Sequence, residues 1–355
     1  MRFFIITCFL ILGSCTRLSD IIAYETSIKR IEIANRTLPQ YATFDLRDPA
    51  IIDQLDSAGF TSFEWLKPDG TVAIWYKQGK TPTTTFNIKS VSKTLYSALV
   101  GQAVSQGKID IENSIETFSQ CRVPAALAPL SHEILLNMTA GFDFTENVST
   151  AVYAAPRWAC RAMELPVVVP SGSRFNYNTL QYHLSGIALS ETSGQNIATM
   201  LQNDLFEPLD IRLDGWVVTP DGDVFVGSEM RLQTRDMLRF GHLYLRNGRW
   251  NGQQIIPEHW VKRSRQPTPH STGRDGISYG LGWWHTRLSG MDAQFAEGYG
   301  GQAIIVVPQA RQVFAFTAPT GGLVPARQHD TRVAAFQKIT AGILARQHHH
   351  PSPHP

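Results

Sequence analysis

The stretch Phe86-Asn87-Ile88-Lys89-Ser90-Val91-Ser92-Lys93 contains an S-x-x-K pattern, with Ser90 as its serine and Lys93 as its lysine. Apolar residues recur at helical spacing between Leu95 and Ala103, and Gly107 is suited to end that helix. At the start of a helix, residues i and i+3 share one face, so we expect Lys93 to lie beside the Ser90 hydroxyl. Burial disfavours the charged form of a lysine, which allows it to act as a base toward a serine.

The S-x-x-K pattern is short, and two other interpretations of it stay open. Taken alone, Ser90 is an ordinary N-cap serine at the start of a helix. The pattern also occurs at Ser105-Gln106-Gly107-Lys108. That second copy falls at a predicted helix end with a glycine inside it, so we interpret it as a solvated helix terminus.

A second segment, Pro170 to Thr179, delivers Tyr177 immediately before a predicted helix. A phenol near a cationic lysine loses its proton more readily, and it can then shuttle the proton between a nucleophile and a leaving group. Taken alone, Tyr177 is better explained as a packed aromatic side chain.

A third segment, Gly298-Tyr299-Gly300-Gly301-Gln302, runs into the apolar strand predicted for 303–307. Glycines at a strand edge let a substrate approach the backbone closely. The N–H of Gln302 could therefore pair with that of Ser90 to stabilise an oxyanion. The alternative for Gly301 and its neighbours is a bulge where the chain enters the strand.

The rest of the chain alternates strands at both ends with helices in the middle. Pro68 to Gly70 supply the turn of a hairpin between 63–66 and 72–76. Further predicted helices cover Ser131 to Met138, Leu180 to Gly194, Thr234 to Leu245 and Asp330 to Gln347. A strand is predicted over Tyr279 to His285, and a second hairpin is predicted from residues 303–307 and 313–316.

This order predicts an α+β fold, an α/β sandwich with an antiparallel β-sheet flanked by N- and C-terminal helices. We expect an α/β domain made of residues 26–88 and 225–347, interrupted by an inserted, mainly helical domain of residues 89–224. The His- and Pro-rich tail 348–355 is expected to be disordered. An active site between the two domains is the arrangement that we expect.

Together these segments resemble the serine β-lactamase and penicillin-binding-protein superfamily, and within it the class C β-lactamase-related group of esterases and 6-aminohexanoate-oligomer hydrolases. The resemblance runs from about Thr61 to Phe336. Besides the three segments it includes Gln106-Gly107-Lys108-Ile109-Asp110, Leu135-Leu136-Asn137-Met138-Thr139-Ala140-Gly141, Thr234-Arg235-Asp236-Met237 with Gly241, and Tyr279-Gly280-Leu281-Gly282-Trp283-Trp284.

The resemblance implies Ser90 as nucleophile, Lys93 and Tyr177 as its proton-handling partners, and Tyr299-Gly300-Gly301 as the strand motif of the substrate site. It implies acyl transfer through a Ser90 acyl-enzyme with no cofactor. We expect the protein to be a monomer. Two positions depart from the family: Thr179 stands where the family has asparagine, and Tyr299 stands where it has lysine or histidine. Both departures favour a neutral ester or amide over a β-lactam or a D-Ala-D-Ala peptide.

Other functions stay open on the sequence. A β-lactamase or D-Ala-D-Ala peptidase is one alternative, and a catalytically inactive envelope protein of the same fold is another. Gly276-Ile277-Ser278-Tyr279-Gly280 matches the nucleophile elbow of α/β-hydrolases, but Ser278 follows a polar loop and precedes a strand, which is the wrong context. The histidines show no metal-ligand spacing, so no metal site is predicted.

The first 14 residues have the layout of a signal peptide, and Leu12-Gly13-Ser14-Cys15 resembles the bacterial lipobox. We therefore predict export, with Cys15 lipidated at the cell envelope or, alternatively, a plainly cleaved signal and a periplasmic or secreted protein. Cys121 and Cys160 could then form a disulfide. The net charge of +2 argues against nucleic acid as a partner, and membrane contact is expected only through the lipid anchor.

Overall fold

The computed structural model describes residues 28–29, 41–118, 121–143, 152, 156–320 and 324–349. The predicted signal peptide and Cys15 lie outside the described residues, as does the predicted tail beyond His349.

The strands concentrate at the two ends of the described chain. Their bounds are β1 Ile28–Lys29, β2 Thr43–Asp45, β3 Ser62–Leu66, β4 Val72–Tyr76, β5 Thr85–Asn87, β6 Thr117–Phe118, β7 Cys121–Arg122, β8 Trp216–Val217, β9 Arg231–Gln233, β10 Arg249–Trp250, β11 Gln253–Gln254, β12 Ser278–Gly280, β13 Trp283–Leu288, β14 Met291–Gly298, β15 Gln302–Val307 and β16 Gln312–Thr317.

The helices lie mostly between the two groups of strands. Their bounds are α1 Pro49–Ala58, α2 Val91–Ser105, α3 His132–Leu136, α4 Trp158–Met163, α5 Thr179–Ser193, α6 Ile197–Met200, α7 Glu207–Leu209, α8 Thr234–Leu245, α9 Glu258–Arg263 and α10 Ala326–His349, with a 3-10 turn at Ala125–Leu127 and a π-helical turn at Leu201–Phe206. Because α10 reaches His349, the first two residues of the tail predicted as disordered are helical.

Within the described residues, eight strands form one sheet in the order β12-β13-β14-β15-β16-β3-β4-β2. Neighbouring strands are antiparallel except β2 and β4, which are parallel. The strand β16 pairs with β3, so the C-terminal hairpin completes a sheet that the N-terminal hairpin begins. This is the sheet of the predicted fold class, with one parallel pair added at its edge.

Helices cover both faces of this sheet. On one face α8 packs so closely that a Cβ built on Gly241 would lie 2.5 Å from Val313, which is why a glycine stands there. On the other face Phe336 of α10 packs against Phe295 and Phe316. The strand β15 is buried along its whole length, as expected for a central strand between two helical layers.

Local sequence explains where the main helices begin and end. Asp48 accepts hydrogen bonds from the backbone N–H groups of Ala50 and Ile51 at the start of α1, and Gly59 ends that helix in the left-handed conformation. Asn178 caps α5 in the same way, and Gly194 ends it. For α5 these residues explain why the predicted boundaries lie close to the observed ones, whereas the sequence analysis did not place α1.

One predicted strand is wrong. Residues 279–285 do not form a single strand, because Leu281 and Gly282 both have positive φ (46° and 87°) and turn the chain back between β12 and β13. Two such residues in succession form the tight turn that matches the twist of an antiparallel hairpin. Because the stretch is mainly apolar, its pattern predicted one continuous strand rather than a turn.

The described hydrophobic core comprises two clusters. The larger one joins the sheet to α1, α2, α8 and α10, and it extends to Tyr182 and Leu189 of α5. The smaller one, which includes Trp158, Leu184 and Phe225, lies within the helical part of the chain. Helix α5 contributes to both clusters, so it ties the helical part to the sheet.

Among the described residues, none of the helices combines the length and the apolar character that crossing a membrane requires.

Candidate active site

Ser90 lies directly before α2 at the N-terminal end of that helix. Its side chain makes no capping hydrogen bond to the helix, which argues against the simple N-cap interpretation. The preceding residue, Lys89, has a left-handed φ of 51°, so the chain turns sharply as it enters the helix. A sharp turn of this kind presents the Ser90 hydroxyl at the helix end.

Lys93 is held beside this hydroxyl, as the i, i+3 spacing predicted. Its Nζ donates hydrogen bonds to Ser90 Oγ at 2.8 Å, to Thr179 Oγ1 at 2.9 Å and to the backbone oxygen of Gly227 at 2.8 Å. The residue is 1% exposed. All three of these acceptors are neutral oxygen atoms, and together they fix the amine against the serine.

Tyr177 is brought to the same place from the turn before α5. Lys93 Nζ lies 5.0 Å from the centroid of the Tyr177 ring. The ring stacks on Trp284 at 5.4 Å and meets the edge of Tyr279 at 6.1 Å. Three segments that are distant in sequence therefore meet around one lysine amine.

The segment that carries Gly227 supplies one of the Lys93 partners, and sequence reasoning missed it. A Cβ on Gly227 would lie 2.6 Å from Thr179 Cγ2 and 2.9 Å from the Thr179 oxygen. Only a glycine allows the backbone to come this close to the start of α5. A lone glycine in sequence carries no sign of that role.

A partly buried ion pair holds the chain just before the serine, and this too was not predicted. Lys89 Nζ lies 2.8 Å from Glu229 Oε1, and Glu229 also accepts hydrogen bonds from the side chains of Asn87 and Ser228. Glu229 has a left-handed φ of 67°, like Lys89. The pair therefore ties the turn before Ser90 to the segment whose Gly227 oxygen binds Lys93.

The predicted strand motif Tyr299-Gly300-Gly301 does not lie in a strand. These three residues form the turn between β14 and β15, closed by the pairing of Gly298 with Gln302. Gly300 and Gly301 have φ values of 89° and 100°, which only glycine adopts without strain. The sequence prediction is corrected on this point: the glycines serve a hairpin turn.

That turn nevertheless lies next to the serine segment. A Cβ built on Gly298 would lie 2.3 Å from the backbone oxygen of Ile88, two residues before Ser90. Helix α10 holds the turn from the other side, because Gly300 N–H donates to His329 Nδ1 at 3.3 Å and Arg332 donates to the Gly300 oxygen at 2.7 Å.

Gln302 and Tyr299 have different surroundings. The side chain of Gln302 is buried and exchanges two hydrogen bonds of 3.0 Å with the backbone of Ala318. Tyr299 is 43% exposed, its ring lies 4.8 Å from that of His329, and its hydroxyl donates to the Val324 oxygen at 2.8 Å. The oxyanion role of the Gln302 N–H stays a prediction.

Trp283 and Trp284 face opposite sides of β13, as strand alternation requires. Trp283 packs against Phe240 and Tyr244 of α8. Trp284 instead stacks on Tyr177. The turn before β13 is fixed to α2, because Thr94 Oγ1 donates to the Gly282 oxygen at 2.6 Å.

The competing nucleophile lacks the context that it needs. Ser278 is the first residue of β12, an edge strand of the sheet, and it follows a loop rather than a buried strand. A nucleophile elbow requires a strand before the serine and a helix after it.

Two further predictions concern sulfur and metal. Cys121 and Cys160 are joined in a disulfide with their Cα atoms 5.3 Å apart, which ties β7 to α4. Among the residues that the structure describes, no group of three or more His, Cys, Asp or Glu side chains is placed to hold a metal ion.

Comparisons with known proteins bear on the family and the fold. A family model described as Beta-lactamase matches residues 69–338. A solved structure from Bacillus anthracis, described as a 6-aminohexanoate-dimer hydrolase, aligns with a TM-score of 0.75 and 16% identity, covering 92% of each chain. A D-stereospecific amidohydrolase from Streptomyces sp. gives 0.62 and 16% identity over 79% of this chain and 97% of its own. EstCE1, a hydrolase with promiscuous acyltransferase activity, gives 0.63 and 16% identity over 81% and 97%. At such identities the solved structures show the fold alone.

Proposed function

We propose, from the premise that this chain belongs to the beta-lactamase family, that it is a serine hydrolase that cleaves an ester or amide through an acyl-enzyme on Ser90. The observation that carries the proposal is the hydrogen bond of 2.8 Å between Lys93 Nζ and Ser90 Oγ, with Tyr177 beside the same amine. A nucleophile within hydrogen-bond reach of a base that is itself held in place is the arrangement that covalent catalysis needs.

In the first step, Ser90 Oγ attacks the substrate carbonyl carbon and a tetrahedral intermediate forms. The serine proton passes to Lys93 and, by way of Tyr177, to the leaving alcohol or amine as its bond to the carbonyl breaks. The product of this step is an ester between the acyl group and Ser90. Because Lys93 is bound by Thr179 and Gly227 as well as by Ser90, its amine stays in place while the proton moves.

In the second step, water attacks the acyl-enzyme and releases the carboxylic acid. The same two side chains take a proton from the water and return one to Ser90 Oγ. The N–H groups of Ser90 and Gln302 would stabilise the negative oxygen that develops in both steps. No cofactor takes part in this scheme.

The choice of an ester or amide rests on the site residues and on the solved relatives. The names of two of those relatives describe an amidohydrolase and the hydrolase of an aminohexanoate dimer. Tyr299 carries no charge, and a neutral tyrosine cannot hold the carboxylate of a β-lactam as a lysine would. A β-lactamase or peptidase activity is therefore the second candidate, supported by the family match itself.

Turnover of a small panel of substrates tests this proposal. Purified protein should hydrolyse p-nitrophenyl esters or D-amino-acid amides faster than nitrocefin, and Ser90→Ala should abolish the activity. The matched control is Ser278→Ala, which should keep it. Loss of activity in Ser278→Ala with full activity in Ser90→Ala would reject the assignment, and rapid turnover of nitrocefin alone would favour the second candidate.

A further inference from the structure

A cavity of about 950 Å³ lies at the end of α2 that is remote from Ser90. Its walls come from the segment 107–116 that follows α2, from His132 at the start of α3, from the second half of α5 and from Arg263 of α9. The 15 residues of α2 span about 22 Å, at about 1.5 Å for each residue. The cavity is therefore separate from the site around Ser90.

One side chain of the core reaches this cavity, and it is that of His132. The residue is 3% exposed. Its Nδ1 lies 2.9 Å from Ser185 Oγ, which in turn lies 2.8 Å from the hydroxyl oxygen of Tyr96. Within the part of the chain that the structure describes, His132 Nε2 has no hydrogen-bond partner, so this nitrogen is the one left to face the cavity.

The hydrogen bonds behind His132 determine which ring nitrogen carries the hydrogen. Burial lowers the pKa of His132 to about 4, so the ring is neutral near pH 7 and has one N–H. Tyr96 is buried, and among the described atoms Ser185 Oγ is the acceptor available to its hydroxyl. Because a buried hydroxyl that donates to nothing is costly, Tyr96 donates to Ser185 and Ser185 donates to His132 Nδ1. His132 therefore offers an Nε2–H donor to the cavity.

The cavity wall carries more acidic than basic side chains. The acids are Asp110, Glu112, Glu116 and Glu191, and the bases are Lys108 and Arg263. Arg263 lies 2.6 Å from Glu133 Oε1 and 3.6 Å from Glu112 Oε1, so its charge is already balanced. The wall therefore favours a ligand with a positive charge.

We propose that this cavity is a second binding site, for a small molecule that carries a protonated amine and, a few carbon atoms away, a carbonyl oxygen. The ammonium group pairs with the carboxylates of the wall, and the oxygen accepts from His132 Nε2–H. Isoleucines that line the same cavity contact the carbon chain between them, namely Ile109, Ile111 and Ile115. This site goes beyond the proposed hydrolase function and does not depend on it.

Calorimetry on the full chain with Ser90→Ala, in which the proposed nucleophile is absent, tests the inference. The ligands are 3-aminopropanamide, 4-aminobutanamide and 5-aminopentanamide. Each is compared with the alkylamine that lacks the amide and with the alkyl amide that lacks the amine. We expect at least one amino amide to bind about tenfold or more tightly than its amide, and about threefold or more tightly than its amine, as hydrogen bonds to charged and to neutral groups allow.

Two variants remove the two proposed contacts one at a time. In His132→Asn the new side-chain oxygen can accept from Ser185 in place of Nδ1, but the Nε2–H is lost. This variant should lower the affinity for the amino amide to that of the matched amine and leave the Kd of the amine unchanged. Glu191→Gln should weaken the binding of the amino amide and of the amine alike.

Glu191 lies on the exposed surface of α5, so Glu191→Gln keeps the test decisive if His132→Asn fails to fold. The matched control is Asp292→Asn. Asp292 is a 76% exposed acid of β14 outside the cavity, and its loss should leave every Kd unchanged.

Three results would overturn the inference. The first is the absence of saturable binding of all three amino amides. The second is an unchanged Kd of the amino amide in either variant that folds, which would place its binding elsewhere on the molecule. The third is an equal loss of affinity in Asp292→Asn, which would indicate attraction by net charge without a specific site.

Discussion

In the proposed mechanism Tyr177 acts through its hydroxyl, while its ring is packed by Trp284, Tyr279 and Phe175. Removing the hydroxyl should leave that packing in place. We therefore expect Tyr177→Phe to fold normally and to lower kcat by roughly 10²- to 10⁴-fold, the usual effect of losing an acid–base group. Steady-state kinetics on the best p-nitrophenyl ester measures this.

The control for Tyr177 is Tyr244→Phe. Tyr244 is a buried tyrosine of α8 that packs on Trp283, on the opposite side of β13 from Tyr177. This variant should retain nearly full activity. If Tyr177→Phe kept the wild-type rate, the assignment of Tyr177 as a proton carrier would be wrong.

At the residue scale, the sequence alone predicted that Lys93 would lie beside Ser90. It did not predict Gly227 and Glu229, which hold Lys93 and Lys89 in place. The i, i+3 spacing of Ser90 and Lys93 is a local property, so it could be inferred from the pattern. The bond from Lys93 to Gly227 joins residues 134 positions apart, and that from Lys89 to Glu229 joins residues 140 apart. No local pattern encodes contacts of that range.

At the scale of secondary-structure elements, the segment around Gly227 fixes how closely the chain before β9 approaches the start of α5. An alanine there would place a methyl group 2.6 Å from Thr179 Cγ2, so one of the two segments must move. We expect Gly227→Ala to cost about 1–3 kcal/mol of unfolding free energy, as overpacking does. It should also lower kcat, since the Gly227 oxygen is displaced from Lys93.

Gly342→Ala is the control for this prediction. Gly342 lies within α10 and a Cβ there would have no atom within 4 Å. Its replacement should be neutral or stabilise the helix by up to about 1 kcal/mol. Urea unfolding and ester kinetics on both variants check the pair, and equal behaviour of the two would contradict the close-approach argument.

Elements were predicted best where punctuating residues mark their ends. Gly194 ends α5 and Ser131 caps α3, and the predicted boundaries there were near the observed ones. The strand over 279–285 was wrong because Leu281 adopts positive φ, which an apolar residue seldom does. Its conformation is imposed by tertiary contacts, including the hydrogen bond from the Leu281 N–H to Asn137 Oδ1.

At the scale of the whole molecule, the fold buries several histidine side chains, and burial favours their neutral form. Burial is the main cause that lowers the pKa of four of them, each to about 4: His132, His183, His242 and His285. In the unfolded chain these groups have a pKa near 6.5. Between about pH 6.5 and pH 4 the unfolded chain therefore binds more protons than the folded one, and stability falls as the pH falls through this window.

Two carboxyl groups act in the opposite direction. Burial raises the pKa of Asp236 to about 7, despite its neighbour Arg239. Its contribution to stability falls as the pH rises from about 4 to 7, because the folded state then binds the extra proton. Burial also raises the pKa of Asp223, which acts in the same direction as Asp236. Two groups therefore oppose four, and the histidines should set the sign of the total.

We expect the free energy of unfolding, measured by urea titration, to decrease between pH 6.5 and pH 4.5. A pKa difference of one unit corresponds to about 1.4 kcal/mol. His183→Gln removes one of the four groups and should make this pH dependence shallower. A profile that is flat in the wild type, or one that is unchanged in His183→Gln, would contradict the account.

At this scale the fold class was predicted correctly, and the family match and the solved relatives confirm it. The order of strands and helices along the chain carries that information. The prediction of a separate inserted domain 89–224 stays a prediction, and α5 contributes to both hydrophobic clusters. The predicted export likewise stays a prediction.

The central claim is that Ser90 is the nucleophile and that Lys93 activates it. Covalent labelling with a fluorophosphonate, followed by mass spectrometry of the peptides, tests this most directly. The account predicts one adduct on Ser90, no adduct in Ser90→Ala, and labelling slowed by at least about 100-fold in Lys93→Met, the lower end of what an acid–base group supplies. An adduct on Ser278 or another serine, or labelling of Ser90 at an unchanged rate in Lys93→Met, would contradict it.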